Sequence, residues 1–284
     1  MNYINKVKLD KRLVKSNFNN AASSYDISAF LQKEVAKRLI SRFDEIKVTP
    51  DLVLDLGCGT GDNVGPLNKK FKKAKVVNLD IAFNMVKQAK SKASKFFDKN
   101  LYVCADMESN CIASSSVDIV FSSMALQWCE NLKTLFAQIS QSLRPGGLFI
   151  FATLGPQTLA ELKKVFSMYS QKSHINDFID MHEVGDFLTS SGFTDPVIES
   201  EILTVTYEKP IELLKDLKNI GASNTNSNRP KGLMPPRKMR KILDAYEEFR
   251  RDGKVPATYE IVVGHAWVEN RKKKNEFTLN RFVR

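Results

Sequence analysis

The chain has 284 residues, 43% of them hydrophobic and 26% charged, enough to bury a substantial core in one large domain or two small ones. No apolar run reaches the length of a bilayer span, and the basic stretch from Met1 to Asn20 lacks the apolar segment of a secretory leader. A formal net charge of +11 leaves two readings open: a lysine-rich surface of no special use, or a face that meets an acidic protein or a nucleic acid.

Cys58, Cys104, Cys111 and Cys129 show no CxxC spacing, and His174, His182 and His265 are well spread. Neither a disulfide framework nor a metal site is expected. Three of the cysteines fall in or beside strands as small buried hydrophobes, which fits a reducing, cytoplasmic setting.

Ile27, Phe30, Leu31, Val35 and Leu39 recur at helical spacing and predict a helix before the first strand. Strands are then predicted at Leu52 to Leu56, Lys75 to Leu79, Leu101 to Cys104, Val117 to Ser122 and Leu148 to Thr153. Between them lie helices running toward Phe71, from Asn84 to Phe96, and through Leu132, Leu135, Phe136, Ile139 and Leu143, the last stopped by Arg144-Pro145-Gly146-Gly147. Helices follow at Gln157 to Met168 and Met181 to Ser190, with Gly192 as the stop, then a strand from Pro196 to Tyr207. Glu208 to Pro256 inserts helices around the polar loop Ala222 to Pro236, one of them carrying Met239, Ile242, Leu243, Tyr246 and Phe249, and the last strand is Tyr259 to Trp267.

This alternation predicts an α/β fold, a doubly wound, mostly parallel, seven-stranded Rossmann-like sheet with a helical lid inserted before the last strand. The divisions are 1–45 for an N-terminal helical lid segment, 46–207 for the cofactor-binding core, 208–257 for the helical insert, 258–268 for the last core strand and 269–284 for a basic tail.

The run Val53-Leu54-Asp55-Leu56-Gly57-Cys58-Gly59-Thr60-Gly61 takes a strand that ends in an acid into a glycine-rich turn. Gly57, Gly59 and Gly61 allow positive φ and close approach of a ligand to the backbone, and the following helix start favours an anion. With S-adenosylmethionine (SAM) as ligand, that anion is the methionine carboxylate, and Asp55 faces the ammonium. A dinucleotide is the competing ligand, but its pattern wants glycine where this chain has Asp62. Asp80, 19 residues beyond Gly61, is placed to accept from both ribose hydroxyls. Asp106 receives the adenine amino group, Ile81 and Met107 sandwich the ring, and Ser122 at the end of strand four completes the cofactor set. Three acids at the ends of consecutive strands make a joint signal that none makes alone.

Strand four runs into Ser123-Met124-Ala125-Leu126-Gln127-Trp128, without the Asn/Asp-Pro-Pro-Tyr element that holds a planar amino group. No Ser-His-Asp or Cys-His arrangement stands out, so covalent catalysis is not expected. Methyl transfer from a sulfonium needs only an aligned nucleophile in a site that excludes water, and a carboxylate acceptor is already ionised near neutral pH.

Phe18-Asn19-Asn20-Ala21-Ala22-Ser23-Ser24-Tyr25-Asp26 resembles the opening motif of the malonyl-[acyl-carrier protein] O-methyltransferases of biotin synthesis, a family within the class I SAM-dependent methyltransferases. Asp106-Met107-Glu108-Ser109, Leu126-Gln127-Trp128-Cys129, Leu143 to Gly147, Thr153 to Leu159, Asp177 to His182, Asp216 to Ala222 and Pro256 to Glu260 are similar to the same family. The likeness runs from about Ser16 to Trp267, and the later motifs are the discriminating ones. It implies O-methylation of the free malonyl carboxylate on acyl carrier protein. It also implies that Tyr25 sits in a lid and positions the substrate, that Gln127 and Trp128 line its pocket, and that His182 is structural. Tyr25 and Trp128 also suit plain packing roles.

Acyl carrier protein is acidic, and between Arg229 and Lys254 nine basic residues (Arg229, Lys231, Arg237, Lys238, Arg240, Lys241, Arg250, Arg251, Lys254) face four acids (Asp244, Glu247, Glu248, Asp252). This insert is therefore expected to dock the carrier. Rival readings are a protein-modifying assembly factor of respiratory complex I, a nucleic-acid methyltransferase, for which the insert has few stacking aromatics, and a non-enzymatic SAM-binding regulator. Arg144, in a turn away from the strand C-termini, is not expected to hold the acceptor carboxylate.

Overall fold

Runs of Val, Ile, Leu and Phe separated by amphipathic stretches become the strands of one seven-stranded sheet, in the order β3-β2-β1-β4-β5-β7-β6. The structure is a computed structural model that describes residues 9–93, 98–230, 232 and 234–269, so Phe96, Lys231 and the basic tail from 270 lie outside it. The strands are β1 (Leu52–Leu56), β2 (Lys75–Asp80), β3 (Leu101–Cys104), β4 (Val117–Ser123), β5 (Leu143–Leu154), β6 (Phe193–Tyr207) and β7 (Val255–Val268). The first five are parallel, and β7 runs antiparallel between β5 and β6. The strand order reverses at β1, which opens a crevice beyond its C-terminal end, the usual ligand position in such sheets.

Alternation along the strands feeds two cores, one on each face of the sheet. Val53, Ile119 and Phe121 join one apolar cluster, while Leu54, Val120 and Leu56 join the other. The helices of the doubly wound half are α4 (Val64–Lys70), α5 (Phe83–Ser91) and α6 (Leu132–Ser142), followed by α7 (Ala160–Tyr169) and α8 (Met181–Ser190). The lid pieces are α1 (Lys11–Ala21), α2 (Tyr25–Ser28), α3 (Phe30–Ser41), α9 (Pro210–Asn219) and α10 (Pro236–Tyr246).

Four expectations need correction. The helix through Ile27 and Leu39 is broken at Ala29 (φ −86°, ψ 33°), so only Leu31, Val35 and Leu39 reach the core, while Ile27 is 83% exposed. A further helix, α1, precedes it. Cys104 lies exposed on the edge strand β3 rather than buried. Arg144-Pro145-Gly146-Gly147 belongs to β5 instead of capping α6: Val117 pairs with Leu143 and Ile119 with Leu148, so a two-residue step on β4 faces five residues on β5, and the excess bulges with Gly146 at φ +78°.

That bulge has a purpose at the N-terminal end of the sheet. The Asp118 carboxylate accepts from the backbone N–H groups of Asp51 (2.8 Å) and Leu52 (2.9 Å) and from Arg144 Nη1 (2.8 Å), tying β1, β4 and the bulge together. Arg144 is thus occupied at the end of the sheet remote from the crevice. Removing the acceptor in Asp118→Ala strands two backbone donors and should lower stability in urea by roughly 1–3 kcal/mol, whereas Arg144→Ala should cost no more than about 1 kcal/mol, because that pair is half-exposed. Neither change should alter cofactor affinity by more than about twofold, since both act at the far end of the strands.

Candidate active site

At the C-terminal end of β1 the chain turns through Gly57, Gly59 and Gly61 with φ of +82°, +53° and +81°. The turn is pinned from beneath: Gly57 N and Cys58 N donate to Leu79 O (2.8 and 2.9 Å), and Gly59 N donates to Asp80 Oδ2 (3.0 Å). A Cβ on Gly57 would fall 2.2 Å from Ala125 Cβ, so the loop has no room for a side chain there. Over Gly59 the space is open, and the nearest atom to such a Cβ is Tyr25 Cε1 at 4.0 Å. The helix after the turn begins only at Val64 and runs seven residues. Asp62, at the edge of the loop, pairs with Lys92 (2.5 Å) and Lys33 (3.7 Å).

Asp55 is fully buried beneath this turn and Asp80 is half-buried beside it. Neither oxygen of Asp55 has a partner in hydrogen-bond geometry among the described residues. Burial pushes its carboxyl up to about 7; the Asn63 amide opposes the rise and the Asp80 charge adds to it. Asp80 accepts from Ala82 N through Oδ1 (2.8 Å) and from Gly59 N through Oδ2, and burial raises it to about 6 against those N–H groups.

Asp106 follows β3 and caps the 3-10 turn Met107–Ser109 by accepting from Glu108 N (3.0 Å). The same Oδ1 takes Lys11 Nζ of α1 (3.1 Å), and Lys11 also pairs with Glu108. Ile81 and Met107 are half-buried near the loop; Ile81, like Phe18 and Tyr25, packs against Ala21, Ala22, Ala82 and Met85, and Met107 Cε lies 3.7 Å from the position a Gly57 Cβ would take. Ser122 differs from expectation. It is fully buried and donates to Leu56 O (2.8 Å), bracing β1 against β4 with its face away from the crevice. The next residue, Ser123, borders the loop instead, its Oγ without a partner. Strand alternation separates the two, and nothing in a Ser-Ser pair reveals which one faces the ligand.

Beside the loop lies a cavity of about 350 Å³ walled by Phe18, Tyr25, Gln127, Trp128, Phe166 and Lys218, among others. Tyr25 and Gln32 also border the smaller 40 Å³ pocket above Gly57 and Gly59, so the two spaces meet at these side chains. Trp128 is half-exposed and meets Phe18 edge-on with centroids 5.2 Å apart, so it is cavity wall and not core. Gln127 is fixed at both ends, donating to Met124 O (2.7 Å) and accepting from Thr153 Oγ1 (3.3 Å). Burial, with Asp80, Asp62 and Asp26 nearby, holds the Tyr25 phenol above its ordinary range, so it stays protonated.

Tyr25 is held over the loop by its neighbour. Asp26 accepts from Thr60 Oγ1 (2.5 Å) and pairs with Lys92 (2.7 Å); burial pushes its carboxyl up, but these partners outweigh burial and hold it below the usual range. From the other side, Ser24 Oγ donates to Asn219 O (2.9 Å) and Asn219 Nδ2 to Ser28 Oγ (3.1 Å), joining α2 to the end of α9. His182 stands exposed in the first turn of α8, outside the cavity wall. Lys11, Gln32, Ser123 and Lys218 carry no role in the sequence reading; apart from the place of Lys218 in the Asp216 to Ala222 motif, their signal is proximity in the fold.

The methyltransferase-domain family model matches residues 54–151, the stretch from the glycine turn through β5. A curated malonyl-[acyl-carrier protein] O-methyltransferase of Gallionella capsiferriformans (strain ES-2) is 45% identical over 269 residues, covering 93% of both chains. One from Methylovorus sp. (strain MP688) is 42% identical over 91% of this chain and 89% of its own. Among solved structures, the YcgJ protein from Bacillus superposes with a TM-score of 0.59 at 12% identity, covering 82% of this chain and 99% of that one. Phosphoethanolamine N-methyltransferase 2 of Haemonchus contortus, solved with S-adenosyl-L-methionine, gives 0.57 at 18% identity over 88% of this chain and 57% of that one. The structures share the fold, and the relatives, similar over nine-tenths of the length, fix the rest: the chain belongs to the malonyl-[acyl-carrier protein] O-methyltransferase family.

Proposed function

We propose that this protein transfers a methyl group from SAM to the free carboxylate of malonyl-[acyl-carrier protein], giving the methyl ester from which pimelate and then biotin are built. The observation that carries this reading is the acceptor-sized cavity that meets the glycine loop at Tyr25 and Gln32, in a chain of this family.

The residues around the loop fit SAM. Asp55 offers two unpartnered buried oxygens, suited to the methionine ammonium, and Asp80 keeps lone pairs for the ribose hydroxyls. Ile81 and Met107 flank the adenine position, and Asp106, which spends only Oδ1 on Lys11 and Glu108 N, has Oδ2 for the adenine amino group. Ser123 takes the place first given to Ser122. Bound there, SAM supplies an electrophilic methyl group on a sulfonium.

The remaining work falls to the chain. The apolar wall of Phe18, Trp128, Leu162 and Phe166 excludes water from the nucleophile. Tyr25, kept protonated, donates to the acceptor and positions it, and Gln127 and Trp128 set the wall it lies against. No base is needed, because the acceptor is already an anion.

Residues 1–45 and 208–257 act as two lids on the 46–207 core, which 258–268 completes. Carrier docking is assigned to the second lid. Arg237, Arg240 and Lys241 are exposed on α10 and Lys238 is half-exposed, none of them paired with an acid among the described residues, whereas Arg250 and Lys254 are spent on Glu247 and Glu208. No helix among the described residues is long and apolar enough to cross a membrane, and four free cysteines support a reducing, cytoplasmic setting.

Labelled SAM offered with malonyl-carrier, an RNA pool or a cell protein extract tests the reading: label should enter the malonyl-carrier as a base-labile ester, and label in RNA or protein alone would overturn it. Charge reversal at Arg237, Lys238, Arg240 and Lys241 should raise KM for the carrier substrate by about tenfold or more at low salt and leave SAM affinity unchanged. A third outcome concerns pH. In the free protein Asp55, raised to about 7, is largely protonated below that value, and ionising it costs stability as pH rises from the unfolded range toward 7. An ammonium ligand needs it ionised, so SAM affinity should climb by up to about tenfold per pH unit from about pH 5.5 and level off above about 7, with proton release in calorimetry. Asp55→Asn should flatten that slope.

A further inference from the structure

We infer that Lys218 is the group that recognises the acceptor's free carboxylate, so that it sets the preference for an acyl chain ending in a charge over a neutral one. The inference rests on the carboxylate-methylation reading and goes beyond it by naming the specificity determinant.

The cavity walls supply the argument. Of the side chains that line the 350 Å³ cavity, Lys218 is the only lysine or arginine, and none is an aspartate or glutamate. The cofactor side of the site is acidic, with Asp55, Asp80, Asp26, Asp62 and Asp106 gathered around the loop. Those acids are largely spent on Lys92, Lys33, Lys11 and backbone N–H groups, and none of these lysines lines the cavity. A carboxylate entering its otherwise uncharged walls has Lys218 as its counter-charge. His174, also on the wall, does not serve: it is stacked on Phe166 at 4.4 Å, and burial together with Lys238 holds it below its usual range, hence neutral near pH 7.

Lys218 is also free to act. Its ammonium has no hydrogen bond or ion pair to protein groups among the described residues, and the side chain remains open to solvent, so it pays little desolvation until an acyl group arrives. Its place is fixed by its neighbour: Asn219, the last residue of α9, is bonded to Ser24 and Ser28 on either side of Tyr25. The cation and the phenol are thus carried on two elements stitched together at one end of the same cavity. An ammonium taking one carboxylate oxygen leaves the other for alkylation. Esterification removes the charge, so the same contact that admits the substrate loosens its hold on the product.

The test uses the full-length protein with Lys218→Gln, Lys218→Met and Lys218→Arg. Wild type is assayed for methyl transfer to malonyl-carrier and for inhibition by succinyl-carrier and by butyryl-carrier, acyl chains of equal carbon number that end in a carboxylate and a methyl. Lys218→Gln and Lys218→Met should raise KM for malonyl-carrier by about ten- to a hundredfold. They should also bring the succinyl-to-butyryl inhibition ratio down toward one, while Lys218→Arg keeps most of it. SAM affinity and melting midpoint, measured on the same samples, should not move. An active wild type with the inhibition ratio unchanged in both neutral variants would overturn the assignment alone; a wild type that transfers no methyl to malonyl-carrier would overturn the activity, and this assignment with it.

Discussion

Folding this chain brings two carboxyl groups together under one glycine turn. Asp55 lies one residue from the end of β1 and Asp80 ends β2, adjacent parallel strands; burial pushes both carboxyls toward the neutral form, and the charge of Asp80 pushes Asp55 further. Asp80 is partly repaid by two backbone N–H groups, whereas Asp55 has only the Asn63 amide to oppose its burial, and neither of its oxygens has a partner in hydrogen-bond geometry among the described residues. A buried carboxylate without a donor is the sort of local fault that a stable fold avoids unless something outside the chain completes it. The turn, the strand order that opens a crevice above it, and the lids that cover it are arranged around that incomplete spot.

Much of this half was legible in the residues. A strand that ends in an acid and enters spaced glycines has few ways to fold, and the spacing from Gly61 to Asp80 corresponds to one helix and one strand, so both acids fell where they were expected. The β1 and β3 boundaries, and those of α8, match the expected ones. What local pattern did not reveal depended on pairing. Arg144 to Gly147 reads as a helix stop, and only the pairing of Val117 with Leu143 turns it into a bulge. Ser122 and Ser123 are chemically identical, and the sheet alone decides that one braces β1 while the other faces the crevice. Ile27 keeps helical spacing with Leu31, yet the kink at Ala29 turns it into solvent.

The acceptor side was legible only through likeness to a family, and the reason is physical. Its walls come from segments nearly two hundred residues apart: Ser24 and Ser28 meet Asn219, and Phe18 packs 3.1 Å from the position a Gly221 Cβ would occupy. No periodicity within either segment encodes such a meeting. Lys11 shows the same limit from the other direction, since a lysine in a basic leader segment gives no hint that it will sit on Asp106, the acid expected at the adenine. The glycine loop and the cavity are therefore covered by connected elements, in which α1 reaches Asp106 through Lys11 while α2 touches both the loop and α9.

The position of β7 has a consequence for how the molecule is made. The strand at Val255–Val268 is the last of the sheet in sequence yet lies inside it, bonded to β5 on one side and β6 on the other. As the chain leaves the ribosome, the glycine turn and its acids can assemble early, on strands that are already complete. Until residue 268 emerges, β5 exposes an unpaired edge, β6 has no strand to pair with, and Tyr259, part of the cavity wall, is missing. A nascent or truncated chain would thus pass through a stage with a formed glycine turn, one open strand edge, an unpaired β6 segment and an incomplete cavity.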